Sequence, residues 1–492
     1  IITQYDMYTV GEDGVGLLKI DFLGLRNLTI IQETLRFVKE KRGLHIACSN
    51  LPFDDSNTYK LLASGETTGI FQLESSGMRR YIKELKPTSI FDLQAMVALY
   101  RPGPMANIPE FIKRKHNPSL ITYPDERLKD VLEDSYGIIT FQDDLLLTAI
   151  RVAGYSWIEA DKLRKAVGKK IPAEMKQQHD KFVDGCIANG MNQKSSEKLW
   201  TLFEPFAGYG FGKAHAACYA TISYRTAYLK AHYPVEFMTA FLTAESRGAS
   251  GPSKNEKIAE GVAECKRLNI KVLPPDINKS QSEFSIEEKN SIRFGLSAIK
   301  NIGEAAIRSI VSCGKDGPFI GLEDFCKRVD LGAVNKKTIE SLIKAGAMDA
   351  FGKRAPLLIK YSEILESVHK KKKDEKEGQR SLFEDPQKPE NLKAADIEDF
   401  TLKEKLSFEK EFLGLYLTAH PMMDELNSIR DKVTHEISLI MEETEGTRVK
   451  IGGIIENLRR IFTKKTGSEM AFITIGDEKG IAVECVIFPK IF

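Results

Sequence analysis

Lys19 and Asp21 stand two residues apart in the otherwise apolar run 17–26, so on a strand their side chains share one face. A carboxylate held out of water needs a partner, and either the neighbouring ammonium or a divalent cation supplies one. A plain structural Lys–Asp pair on a strand edge meets the same need, whereas a metal centre asks for several ligands. The run is predicted as a strand. The apolar spacing of Ile30, Ile31, Leu35 and Val38 predicts a helix over 28–42 directly after it.

Cationic groups come next. In 160–170, Lys162, Lys165 and Lys169 fall at i, i+3 and i+7 of a predicted helix, with Arg164 beside them and Leu163, Ala166 and Val167 on another face. Such a face suits a triphosphate or a DNA backbone, and an ordinary solvated surface helix carries a similar pattern. In 206–220, glycines permit close backbone approach, aromatics offer stacking surfaces, and Lys213 and His215 offer donors to phosphate. The stretch has neither P-loop nor dinucleotide-fingerprint spacing. In 100–105 two prolines fix a turn and hold Arg101 in one place, which adds it to the candidate phosphate-binding set. Residues 69–80 read as a capped helix before an arginine pair.

The elements that must position these residues are mostly helical. At 492 residues the chain predicts a multidomain, mainly α architecture. Its 71 Lys and Arg against 69 Asp and Glu leave a net charge of +2, so contact with a polyanion depends on local patches. The 7 cysteines include no CxxC pair, which argues against a disulfide framework and a zinc ribbon and points to a reducing cytoplasm. No apolar run is long enough for a membrane span, and no secretory signal order is present at the start. The missing initiator Met and strand-like ends read as an internal piece of something longer.

Towards the C-terminus, 295–307 predicts a helix, a tight hairpin at Lys300, Asn301, Ile302 and Gly303, and a second helix. Backbone N–H groups there can receive a DNA phosphate without reading sequence. A second copy at 336–347 is poorer at the hairpin and is taken as its packing partner. The charge run beginning at Lys370 and the polar residues after it predict a flexible linker, in which Leu382 and Phe383 are stranded apolar residues. Alternating strands over 449–455, 470–475 and 481–488, with Arg459, Arg460, Lys464 and Lys465 on the intervening hairpin, suggest a partial OB-type β-barrel.

The ordered motifs KIDFLGLRNLT, GIFQLESSGMRRYI, ALYRPGPM, FQDD, ADKLRKAVGKK, GYGFGKAHAACYA and SYRTAYLKAHYPVEFM resemble the bacterial replicative DNA polymerases of family C, essentially end to end. The resemblance implies a palm remnant over 1–35, fingers over 36–275 and a tandem helix-hairpin-helix region over 276–355. It further implies a flexible linker with a clamp-binding motif over 356–400, a helical connector over 401–445 and a partial OB-fold over 446–492. Asp21 matches the third catalytic aspartate and a metal ligand, with Lys19 beside it. Arg164, Lys165, Lys169, Lys213 and His215 match dNTP-binding positions, Lys165 departing from the usual arginine pair. Gln379, Leu382 and Phe383 match the sliding-clamp peptide.

Two Mg²⁺ ions would serve in the complete polymerase. Implied partners are primer-template DNA, dNTPs, the clamp, the clamp-loader tau and a proofreading exonuclease, with no membrane. The family's first two aspartates lie in a motif upstream of Ile1, so this polypeptide alone is expected not to extend a primer. The competing reading is a non-catalytic DNA- and clamp-binding module. A metal nuclease is disfavoured, because no further carboxylate or His cluster accompanies Asp21.

Overall fold

A computed structural model describes residues 4–11, 14–18, 20, 23–169, 172–203, 210–248, 252–376, 397–418, 422–437, 440, 446–463, 467–477 and 482–492. These residues are mainly α-helical, with two small sheets. Among them no helix is long and apolar enough to cross a membrane, and the seven cysteines are free.

The first helices are α1 (Met7–Val10) and α2 (Arg26–Arg42), the latter as its apolar spacing predicts. Next come α3 (Ser56–Ser64), α4 (Ser76–Leu85), α5 (Ile90–Leu99) and α6 (Ile108–His116). The expected cap is present on α4, where the Ser75 hydroxyl accepts the Met78 N–H. These four helices wrap α12 (Lys213–His232), burying Leu62, Ile82, Leu93, Leu99 and Phe111 with Ala220, Tyr224 and Ala227. Small buried residues at 216, 220, 223 and 227 recur at helical spacing, which lets α12 run close to its neighbours.

A second core belongs to α7 (Lys129–Leu132), α8 (Gln142–Ala153), α9 (Trp157–Lys169), α10 (Pro172–Ala188) and α11 (Gln193–Thr201). Its centre is the aromatic trio Phe182, Trp200 and Phe203, with centroids 5.1–5.7 Å apart. A third core joins α2, α13 (Pro234–Ser246) and α14 (Pro252–Arg267) to the sheet of β1 (Lys271–Leu273), β2 (Ser285–Glu288) and β3 (Ser291–Arg293). It continues into α15 (Glu304–Gly314), α16 (Leu322–Arg328), α17 (Lys336–Lys344), α18 (Arg354–Lys376) and α19 (Leu402–Phe412). In this sheet β1 pairs parallel and β2 antiparallel with the central β3. After α20 (Met423–Ile429), the antiparallel sheet of β4 (Ile454–Phe462), β5 (Glu469–Gly476) and β6 (Ala482–Ile487) closes the described chain.

Several expectations are corrected. The described residues of 17–25 form no strand: the Leu17 N–H bonds back to the Val10 carbonyl at 2.9 Å, no neighbouring strand pairs with them, and Leu18 and Leu23 are 84% and 86% exposed. Residues 356–376, predicted as linker, lie in α18, because Tyr361, Leu365 and Val368 recur on one face and bury it in the third core. The boundary expected at 275/276 divides no core, since Phe237 and Phe241 share one with Ile277, Phe284 and Phe294. Arg459 and Arg460 lie within β4, paired with Phe472 and Ala471, because the first strand runs later than its predicted 449–455. Lys464 and Lys465 lie outside the described residues.

Two buried charges are fully partnered. Asp92 accepts from the Thr88 N–H at 2.8 Å, the Tyr136 hydroxyl at 2.8 Å and the Lys115 ammonium at 2.6 Å, which ties α5, α6 and the 136 turn together. Lys230 donates to the Glu66 and Thr68 carbonyls at 2.7 and 2.8 Å and pairs with Glu264 at 2.5 Å. Removing one member of such a set leaves the other charge stranded in low dielectric. Asp92→Ala is therefore expected to lower stability by about 3–5 kcal/mol in urea unfolding; a loss below about 1 kcal/mol would contradict this account of the knot.

Candidate functional site

Three of the described candidate residues, Arg101, Lys213 and His215, come together at the start of α12. Gly212, its N-cap, has no side chain to cap the helix. Asp143 of α8 does so instead, its carboxylate accepting the Lys213 N–H at 2.6 Å. Two further bonds hold the approach: the Gln142 N–H donates to the Phe211 carbonyl at 3.0 Å, and the Gln142 side chain donates to the Gly210 carbonyl at 2.9 Å. Phe211 then packs against Ala98, Phe141 and Ala216, a small apolar cluster where α5, α8 and α12 meet.

Arg101 joins from the turn after α5. Gly103 takes φ +95° and Pro104 starts a short 3₁₀ turn, so the backbone is set as the two prolines predict. The Arg101 guanidinium lies 4.1 Å from the centroid of the Phe211 ring, and its buried Nε has no hydrogen-bond partner. On the same ring, at 4.9 Å, sits the His215 imidazole, which stacks on Tyr219 at 4.2 Å; Tyr219 in turn meets Phe71 at 5.0 Å. The Lys213 ammonium is 3.6 Å from Asp134 and 5.7 Å from the Phe141 ring centroid. Arg101 and His215 thus meet on the Phe211 ring near the start of α12, while Lys213 lies by the Phe141 ring packed against it, an arrangement of planar cation, ammonium and ring faces suited to a phosphorylated base.

Arg164 and Lys165 are placed elsewhere. Both pair with Asp161 on α9, at 2.8 and 3.1 Å, and no described interaction links them to the Phe211 group. Lys169 ends the same helix. Lys19, Asp21, Gln379, Leu382 and Phe383 lie outside the described residues, so the structure does not bear on the expected cleft between positions 21, 164 and 213. Among the described residues no three His, Cys, Asp or Glu side chains are grouped to hold a metal ion.

At the hairpin, the helix expected before it is only a 3₁₀ turn, Leu296–Ala298, because the residues just before it are taken by β3 and Gly295 is still extended. Asn301 takes φ +66°, its side chain donating to the Ser341 hydroxyl at 3.2 Å, and the Lys300 N–H donates to the Phe412 carbonyl at 2.9 Å. The hairpin is therefore buttressed by α17, as expected of a packing partner, and by α19. Gly303, the N-cap of α15, is exposed, with φ −83° and open space where a Cβ would stand.

Sequence reasoning missed Phe211 as the organising ring, along with Tyr219, Asp143 and Gln142. The acidic pair at 143–144, directly after the start of a predicted helix, was the available signal. Asp144 is buried: desolvation pushes its carboxyl up to about 6, against the N–H groups of Thr140 and Phe141 and the charge of Lys213, which pull it down. It holds its proton more tightly folded than unfolded. That contribution to stability is fully present below the ordinary aspartate value of 3.8 and is lost as pH rises through about 6. Urea midpoints taken across this window should fall by the equivalent of about 3 kcal/mol, and Asp144→Asn should flatten the limb. An unaltered limb in that variant would assign it to another group.

Residues 27–190 match the bacterial DNA polymerase III alpha subunit finger domain, and residues 269–357 match a helix-hairpin-helix motif. All of the chain aligns with the DNA polymerase III subunit alpha of Thermus aquaticus at 41% identity over 500 residues, covering 40% of that relative. The same holds for that of Bacillus subtilis, 41% over 495 residues and 43% of the relative, and for that of Pseudomonas aeruginosa, 37% over 524 residues and 44% of the relative. The chain therefore spans less than half the length of these curated relatives.

Proposed function

We propose, for a chain that belongs to the bacterial DNA polymerase III alpha-subunit family, that it serves template-directed DNA synthesis in the bacterial cytoplasm, with the Phe211 group as its dNTP site. The observation carrying this reading is the half-buried Arg101, its guanidinium 4.1 Å over Phe211 and its buried Nε unpartnered, beside Lys213 and His215. A guanidinium already oriented by a ring loses little freedom on meeting a phosphate. Lys213 adds a point charge, and Tyr219 and His215 offer faces to a base. Arg164, Lys165 and Lys169 belong to the same reading as a second cationic face on α9, reached by the phosphates of nucleotide or strand.

Transfer of a nucleotidyl group to a primer 3′-hydroxyl calls for Mg²⁺ to offset charge on the attacking and leaving oxygens. Asp21, with Lys19 beside it, is proposed as one carboxylate ligand. The described residues present no cluster that could complete such a shell. What this part of the chain contributes is retention and orientation of the triphosphate and base.

The hairpin supports DNA as the partner. Gly303 is required neither by its φ nor by any neighbour, so its lack of a side chain serves the approach of something from outside, and the exposed Lys300 stands three residues away. A phosphate on the exposed N–H groups at the start of α15 fits that space. Gln379, Leu382 and Phe383 are proposed to bind the sliding clamp, as a peptide that buries two apolar side chains. Tau and the proofreading exonuclease are proposed as partners of the complete polymerase.

Titration of the chain with labelled dNTP and Mg²⁺ is expected to saturate, and Arg101→Ala or Lys213→Ala should each weaken binding by roughly 10-fold or more, the worth of a charged hydrogen bond. Equal affinity in all three proteins would remove the site. For the hairpin, Gly303→Val combined with Lys300→Glu should weaken duplex binding at low salt and leave dNTP affinity unchanged; duplex binding that persists at the parent level would refute the phosphate role.

A further inference from the structure

The two tryptophans of the chain have opposite surroundings. Trp200 is buried against Phe182 and Phe203, whereas Trp157, in the first turn of α9, is 65% exposed and its neighbour Ile158 is 72% exposed. An indole in water beside an exposed isoleucine is a costly choice for a surface. The turn that carries it is held firmly. Ser156 and Glu159 cap it reciprocally, the Ser156 N–H donating to Glu159 at 2.8 Å, and Glu159 is anchored to Lys181 at 2.6 Å.

The buried side of α9 consists of Ala160, Leu163, Ala166 and Val167. The exposed side therefore carries, from its start, Ile158, Lys162 and Lys165 at i, i+4 and i+7, next to Trp157. Lys162 is exposed and, among the described residues, forms no ion pair, while Lys165 shares Asp161 with Arg164. A rigid apolar ring is thus followed along one helix face, over about 10 Å, by cationic groups. Charge complementarity selects the occupant: a protein helix would cover the apolar pair but has no need of the lysines, whereas a single-stranded nucleic acid presents a base face and a phosphate chain at this separation.

We propose that the Trp157–Ile158 end of α9 is a stacking platform for an unpaired base of single-stranded DNA whose phosphates run along Lys162 and Lys165. It rests on the reading of the chain as a DNA-synthesising protein, but uses a surface separate from the Phe211 group.

Because Trp200 is shielded, intrinsic fluorescence of the full chain reports on Trp157. Titration with an oligothymidylate at low salt should quench the emission, inorganic triphosphate alone should not, and Trp157→Phe should abolish most of the change. By anisotropy of a labelled oligothymidylate, Trp157→Ala should weaken binding by about 5- to 100-fold, in line with the loss of one stacked base. Trp157→Tyr should restore most of the affinity, and Lys162→Glu should weaken binding and lower its salt dependence. Absence of quenching would overturn the proposal and leave the patch to a protein partner. Equal quenching by triphosphate, or unchanged affinity in Trp157→Ala with its helix content intact, would overturn it too. Labelled-dNTP affinity in Trp157→Ala separates the two sites: it should match the parent, and its loss in Arg101→Ala would leave oligothymidylate quenching untouched.

Discussion

One carboxylate at one helix start fixes the arrangement of everything around it. Asp143 sits on α8, a helix of the second core, yet its oxygen satisfies the first N–H of α12, the helix on which the first core is built. A helix N-terminus with glycine as its cap has unsatisfied donors, and an acid from a neighbouring element answers both their hydrogen-bonding need and the positive end of the dipole. With Gln142 bonded to 210 and 211, the two cores meet in a defined register, and Phe211 is pressed into the seam. Arg101 and His215 find their places only because that ring is there. The cationic group is thus a product of the junction between cores, and neither core holds it alone.

Buried charge elsewhere is treated in the opposite way. Asp92 and Lys230 are surrounded by partners that leave nothing to offer a visitor. Arg101 is buried at Nε and left incompletely bonded. An unsatisfied buried donor is costly, and its persistence beside half-buried Lys213 and exposed His215 sets this group apart from the fully bonded charges that hold the fold.

Local patterns were legible where burial obeys a single period. The 3.6-residue spacing located α2, the serine before 76 marked the cap of α4, and alternation located β5 and β6 closely. What failed required knowledge of neighbours. The run at 17–25 reads as a strand by composition, but a strand exists only where another pairs with it, and among the described residues none does. The lysines after 369 drew attention from Tyr361, Leu365 and Val368, which make the preceding residues a packed helix. At the candidate site, the residue types of Arg101, Lys213 and His215 were visible, but the meeting of Arg101 with Phe211 depends on a contact between segments more than a hundred positions apart. The exposure of Trp157 is equally silent in the sequence, since an aromatic at the start of a helix is usually core.

The continuity of the third core across position 275 bears on how the molecule breathes. Phe237, Phe284, Ile307, Leu342 and Phe412 lie in one apolar interior, the condition for the segments from α13 to α19 to open as one cooperative unit instead of as separate modules. Amide protons in α13 and α17 would then exchange with solvent at similar rates, set by the same subglobal opening. Anything that tightened the helices around the hairpin would then slow exchange in α13 as well, through shared stability, with no moving part between them.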